Sequence, residues 1–367
     1  MKYLVPILML LVFVGIMTAA DIYLTNRLAW IFSIENKHWL YILFGILPLI
    51  MFPSMLFLAN TTRMVTSFLY IIISITVGVM LYLILSMLLV EVLNLFMDLK
   101  PAIFGMIAIG LTIVVSVYGI INAASTEASQ QEISMPGLIK EIKIMHLSDI
   151  HLGHFRGVKY LDSLVEKTLA MEPDLVAITG DLFDGRKQMK PEVLEPLKKL
   201  KVPVYFIAGN HDGYSGIGKI KKMLGEKGIR VLENEVVRSG ALQIVGLEHM
   251  RADDGGRSVH ASPEGKTIRE VLSELTIESD TITILLHHSP DGIKYAREAG
   301  INLYLAGHTH GGQLFPVTFL NDLLFKYNRG LYQYNGMQIY VSRGAGTFGP
   351  PMRVGTRSEI TLIRLVG

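Results

Sequence analysis

Five short stretches in the second half of the sequence concentrate aspartate, histidine and asparagine at close spacing. They read Leu147-Ser148-Asp149-Ile150-His151, Thr179-Gly180-Asp181-Leu182-Phe183-Asp184, Gly209-Asn210-His211-Asp212, Leu286-His287-His288-Ser289-Pro290 and Gly307-His308-Thr309-His310-Gly311-Gly312. Carboxylates and imidazoles supply the charge and geometry of a site for two hard-to-borderline divalent cations, and one aspartate can bridge such a pair. An asparagine carbonyl fits where enough negative charge is already present. Two cations about 3.5–4 Å apart can acidify a shared water and take up charge on a substrate's reacting oxygens. The 367 residues include no cysteine, which excludes disulfides, thiolate metal sites and a cysteine nucleophile. Singly, each stretch has a plainer reading: a loop pair, a turn, a helix N-cap or a satisfied core histidine pair. Their joint occurrence, each after an apolar run, points to one shared site.

The elements that must position these residues are legible as alternating apolar strands and amphipathic helices. Strands are expected at residues 141–147, 175–179, 204–208, 242–245, 281–286, 301–306 and 338–342. Helices are expected at 158–171, 191–200, 217–227, 266–275 and 291–299. This alternation implies an α/β fold with buried sheets, whose strand-end loops build the site on one rim. Extended backbone puts residues i and i+2 on one side, so Asp149 with His151, and His308 with His310, are expected to converge. Glycines beside them allow the chain to turn.

The first third has another character. Mean hydropathy is +0.41, and the apolar excess lies in four runs at residues 4–20, 39–59, 65–90 and 103–121, free of Asp, Glu, Lys and Arg. Each approaches or exceeds the length that crosses a bilayer, so an α-helical region of four spans is expected. The first run also fits a cleaved signal peptide, starting near Lys2 and ending at Thr18-Ala19-Ala20. Trp30, Trp39 and Tyr41 stand near span ends as interfacial aromatics do. Four spans put the 59–65 loop and the C-terminal part on one side with Lys2 and Arg63, against Arg27, Lys37 and Lys100 on the other. That difference does not decide orientation, so the membrane side stays open. The division is then 1–122 transmembrane, 123–139 a polar linker, and 140–367 catalytic. A net charge of +2 argues against a broad nucleic-acid footprint.

The order of the five stretches resembles the calcineurin-like metallophosphoesterase superfamily, in particular its bacterial membrane-linked branch. Arg329-Gly330-Leu331-Tyr332 and Ser342-Arg343-Gly344-Ala345-Gly346-Thr347 look like that branch's closing segments. The resemblance implies a four-layer αββα sandwich over residues 140–367 and two divalent metal ions, Mn, Fe or Zn. It implies that Asp149, His151 and His310 bind the first ion, that Asp181 bridges, and that Asn210, His288 and His308 bind the second. His288 is selected over His287 because the family's ligand stands two residues before the proline. His211 would stand near the scissile phosphate, with Asp184 and Asp212 orienting it or the ligands. His154 reads as a loop histidine.

Three function classes follow. One is a phosphodiesterase or pyrophosphatase for a phospholipid or other lipid-linked phosphate, integral to the cell membrane as a multi-pass protein. The second is a tethered phosphoesterase for soluble nucleotides or small phosphates. The third, a non-catalytic metal-binding regulatory module, is disfavoured because no ligand position is lost. Oligomeric state is open. Residues 314–334, LFPVTFLNDLLFKYNRGLYQY, carry Phe319, Leu323 and Leu324 close to His308 and His310. They read either as a packed core helix or as an apolar lip facing the bilayer, with Lys326 and Arg329 near headgroups.

Overall fold

The computed structural model describes residues 4–253 and 265–367. Four helices come first: α1 (Leu4–Ile31), α2 (His38–Ala59), α3 (Met64–Met97) and α4 (Pro101–Ala124). Among the described residues, α2, α3 and α4 are long and apolar enough to cross a membrane. Lys2 lies outside the described residues. The helices overrun the apolar runs because helix propagation needs only backbone hydrogen bonds, so Arg27 and Glu91 fall inside α1 and α3. They form an ion pair with each other, and the Tyr23 hydroxyl donates to Glu91. Leu24, Met87, Val90, Phe104 and Ala108 form the apolar core joining α1, α3 and α4.

The polar segment 123–139, expected as a linker, is largely a strand, β1 (Thr126–Ser134). It pairs in parallel with the C-terminal strand β12 (Ser358–Val366) along its whole length. A small-residue, charge-poor stretch looks like a tether, but an edge strand needs only backbone pairing and one buried side chain. Ile133 supplies that side chain.

Two six-stranded mixed sheets follow. The first is ordered β1, β12, β2 (Ile142–Leu147), β3 (Leu175–Thr179), β4 (Val204–Ile207), β5 (Arg230–Val231). The second is ordered β10 (Gly330–Tyr334), β11 (Met337–Val341), β9 (Leu303–Ala306), β8 (Ile282–Leu286), β7 (Leu242–Gly246), β6 (Glu235–Ser239). All seven strands expected from the sequence are present within two residues. Of the five missed, β1, β5, β6 and β10 are edge strands and only partly buried, whereas β12 is an interior strand whose polar and apolar residues alternate instead of forming an apolar run. Ile144, Leu175, Ile207, Ile244, Ile284 and Leu305 pack the sheets together. Helices α5 (Val158–Leu169) and α7 (Ile217–Gly225), with the 3₁₀ segment Pro191–Lys199, cover the outer face of the first sheet. Helices α8 (Ile268–Glu274) and α9 (Ile293–Glu298) cover that of the second. The expected α/β architecture of stacked mixed sheets under outer helices is therefore present.

The membrane-type helices are docked onto this sandwich. The Asn122 amide at the end of α4 donates to the carbonyls of Arg353 (2.9 Å) and Thr356 (2.8 Å), and Arg353 N donates to Gly119 O (2.9 Å). His154 stacks on Tyr70 of α3 and hydrogen-bonds both Ser67 Oγ (2.6 Å) and Ala59 O (3.0 Å). The α2–α3 loop and the end of α4 thus both lie against the catalytic part.

If β1 belongs to the core, Ile133→Ala costs about 2–5 kcal/mol, as other buried Ile-to-Ala changes do. Denaturant unfolding of the detergent-solubilised chain measures this, and a free linker would show no change.

Candidate metal centre

Every strand that carries a site motif runs toward one rim, because β2, β3 and β4 are mutually parallel, as are β8 and β9. The convergence does not come from extended i, i+2 pairs as expected. Asp149, His151, Asp181, His308 and His310 all have positive φ, between 51° and 72°. These left-handed kinks turn each side chain inward, at about 1–2 kcal/mol apiece for a residue with a Cβ. Close backbone approach does the rest. A Cβ at Gly307 would overlap the Ser148 hydroxyl and the Asp149 carboxylate, and one at Gly209 would overlap Asp181.

Two groups result. In the first, His151 Nε2 and His310 Nε2 lie 3.1 Å apart, and Asp149 Oδ1 is 3.4 Å from His310 Nε2. In the second, His288 Nε2 lies 3.2 Å from Asp181 Oδ2 and 3.3 Å from His308 Nδ1. Asp181 Oδ2 is also 3.7 Å from His151 Nε2, so this carboxylate reaches both groups. Asn210 Oδ1 is buried without a hydrogen-bond partner beside them. Such a crowd of acceptors, with an orphaned amide oxygen, is the donor set that divalent cations satisfy.

The electrostatics of His151 and His310 suit ligation. Burial drives the His151 imidazole down to about 4 and His310 well below its ordinary range, leaving both neutral, the form that ligates a cation. Burial also raises the Asp149 carboxyl. For Asp181 burial acts upward, but His288 and His211 together outweigh it and hold the carboxylate ionised. Conversely, burial lowers His288 and His211, but Asp181 outweighs it for His288, and Asp181 with Asp184 for His211; they rise to about 10 and about 9.

The doubled histidine separates cleanly. His288 Nδ1 bonds Thr179 O (2.8 Å), leaving Nε2 for the site. His287 turns away: its Nδ1 faces Ser289 O (2.7 Å) and Tyr304 Oη (3.0 Å), and its Nε2 accepts from Met250 N. Of the three residues expected near the chemistry, His211 lies at the site with its Nδ1 3.1 Å from Asp184 Oδ1. Asp212 does not touch His211, contrary to one expected role. Its carboxylate accepts from Gly209 N (3.0 Å), Phe183 N (3.0 Å) and Leu182 N (3.3 Å), bracing the second and third motifs. As the first residues of α6 (Asn210–Ser215) follow, a side chain at Asp212 bonds the backbone three residues earlier as a helix-start acid does.

Three contributors escaped the sequence reading. His249, three residues beyond the last residue of strand β7, Gly246, stands with its ring among His287, His288 and His308. Its placement after an apolar strand on the same rim was the available signal. Arg353 is fully buried and donates to His310 O (3.1 Å), Arg343 O (2.6 Å) and Gly346 O (2.8 Å), with its guanidinium 3.2 Å from His310 Nδ1. Phe348 lies beside the rings of His211 and His310. No local pattern marks the last two.

Two stacked mixed sheets with an Asp/His/Asn cluster at one rim define a metal-centred α/β protein. The chain belongs to the metallophosphoesterases: the calcineurin-like phosphoesterase family matches residues 142–312. A metallophosphoesterase of Aquifex aeolicus is 32% identical over 236 residues, 62% of this chain and 86% of that protein. A Bos taurus protein named transmembrane protein with metallophosphoesterase domain is 34% identical over 287 residues, 73% of this chain. A Helicobacter pylori metallophosphoesterase is 35% identical over 247 residues, 66% of this chain. The matches span 62% and 65% of the length of these last two relatives. The cattle relative shows that the likeness extends beyond bacteria.

His288→Ala is expected to lower the bound metal to about one equivalent, whereas His287→Ala keeps two and loses only stability. Metal analysis of the two purified variants checks this; equal loss in both would contradict the assignment.

Proposed function

We propose that the chain is a membrane-anchored phosphoesterase with two divalent ions, hydrolysing phosphodiester or pyrophosphate bonds of a lipid-linked substrate. The observation that carries this is the pair of ligand groups Asp149–His151–His310 and Asp181–His288–His308, with Asp181 Oδ2 3.7 Å from His151, set beside helices of membrane-spanning character. Asp149, His151 and His310 would hold one ion, Asn210, His288 and His308 the other, and Asp181 both. Mn, Fe and Zn all suit such oxygen and imidazole donors. When bound, the ions supply Lewis acidity toward the phosphoryl oxygens.

The chain's own residues do the remainder. Asp184 fixes His211 through Nδ1, which leaves Nε2 to face the cleft and give a proton to the leaving oxygen. Asp212 holds the backbone that presents Asp181 and Asn210. Arg353 and its neighbours seat His310. On this reading residues 1–122 are the multi-pass anchor in the cell membrane and 140–367 the catalytic part, with 126–134 belonging to its sheet.

The lipid preference is supported by helix α10 (Val317–Leu324). A packed core helix would hide its apolar face, yet Phe319 is 68%, Leu323 78% and Leu324 76% exposed. The helix is held from beneath by Asn321, whose amide donates to Thr309 O (3.1 Å) between the two site histidines. An apolar face of this kind, rimmed by Lys326 and Arg329, suits a bilayer surface. A soluble, multiply charged substrate such as a nucleotide is the second reading. It is favoured by a groove of 940 Å³ beside α6, lined by Arg186, Lys187, Lys190 and Lys219.

Two experiments test this. Chelation is expected to abolish hydrolysis of an aryl phosphodiester and Mn²⁺ to restore it. His211→Ala should keep both metals and cut kcat by roughly 10²–10⁴, whereas Asp181→Ala should lose metal. Metal loss in His211→Ala would overturn its role as proton donor. The Phe319→Ser, Leu323→Ser double variant is expected to lower the ratio of kcat/KM on a vesicle-borne phospholipid to that on the aryl diester. Parallel loss on both would reject the lip.

A further inference from the structure

One wall of the site is not built by the sandwich. A cavity of 570 Å³ opens at Asp184, Asn210 and His211 and runs to Met55 and Leu56 of α2 and Val77 of α3, with Phe348 along its side. Asp184, Asn210 and His211 make its lining polar on the catalytic side, and the helices line it chiefly with Met55, Leu56, Ala59 and Val77, alongside Asn60 and Tyr70. A second, largely apolar cavity of 230 Å³ lies among α1, α2 and α3, lined by Leu24, Phe44, Met51 and Met80, with Asp21, which accepts from Thr25, its acidic residue. Val77 lines both, so the two adjoin at its side chain.

The wall is fixed in place. The His154 bonds to Ser67 and Ala59 and the Lys187 Nζ bond to Thr62 O (2.8 Å) clamp the α2–α3 turn on the catalytic part. Gly185 packs so closely on the Ala59 carbonyl that a Cβ would overlap it. A cleft polar at the catalytic histidine and apolar where it enters a helix bundle matches one kind of occupant, an amphiphile with phosphate at one end and an alkyl chain at the other. A fully polar ligand would leave its own groups unpaired against Met55, Leu56 and Val77.

Resting on the lipid-phosphoester reading above, we propose that this cleft is the substrate's hydrocarbon-chain subsite, with Val77 setting how far the chain reaches into the helix bundle. The anchor is then part of the binding site. Chain length becomes a selected property, since each methylene that enters the cleft leaves water, and a chain that passes Val77 gains the inner cavity as well.

The test uses the full-length chain in one detergent with Mn²⁺ and a series of alkyl p-nitrophenyl phosphodiesters from methyl to hexadecyl. For the wild type, kcat/KM is expected to rise with chain length and then level off. Val77→Trp is expected to lower the long-chain to methyl ratio about tenfold, the factor given by one to two methylenes losing their burial, and to move the plateau to shorter chains. Val77→Ala is expected to move it to longer ones. Met55→Trp, on the opposite wall, gives the same narrowing and replaces Val77→Trp if that variant does not fold. A wild-type rise with chain length that all three variants leave unchanged would overturn the chain subsite while keeping the lipid reading. A wild type indifferent to chain length would overturn the lipid reading and the subsite with it.

Discussion

The Asp181 carboxylate is the charge around which the site is assembled. An ionised carboxylate taken out of water is costly unless hydrogen bonds and opposite charge offset the loss. Here the backbone N–H of His211 reaches Asp181 Oδ1 at 2.9 Å, His288 Nε2 reaches Oδ2 at 3.2 Å, and His151 stands behind. Those partners come from three different loops, so satisfying one carboxylate brings the first, third and fourth motifs to the second. Asp149 plays a smaller version of the same part, accepting from Ser148 Oγ and His308 N and so joining the first motif to the fifth. The left-handed residues and the two glycines against which no Cβ fits are local costs tolerated because this network over-determines the backbone.

The network does not stop at the sandwich. Asn122 and Gly119 of α4 hold the backbone around Arg353, and Arg353 holds His310. His154 joins the loop after the first motif to α2 and α3. Helices that began as an apparent anchor are therefore hydrogen-bonded to the supports of the site and supply one side of its cleft. A rigid joint of this kind fixes the height of the metal centre relative to the apolar helices, which a flexible tether would not do. Within the sandwich, helix α10, with its exposed apolar face, is fastened through Asn321 beside the same histidines.

Much of this was determined by the sequence itself. Seven of the eight interior strands were legible because a buried strand is commonly an apolar run, and the clustering of residue types able to bind metal after those strands was legible too, while their division between two ions came from the family resemblance. The family resemblance selected His288 over His287, and both ring nitrogens of His287 are engaged away from the site. Only the tertiary structure decided the rest. The polar stretch 126–134 became an edge strand because β12 offered it a free backbone edge, a partner more than 200 residues away that no local pattern announces. The directions of Asp212, His249 and Arg353 depend on neighbours from distant loops. Exposure of α10 and the cleft wall formed by α2 and α3 depend on how two separately readable parts pack. Local sequence fixes which residues are apolar, charged or able to bind metal, but packing between distant segments decides which surfaces stay open and what they face.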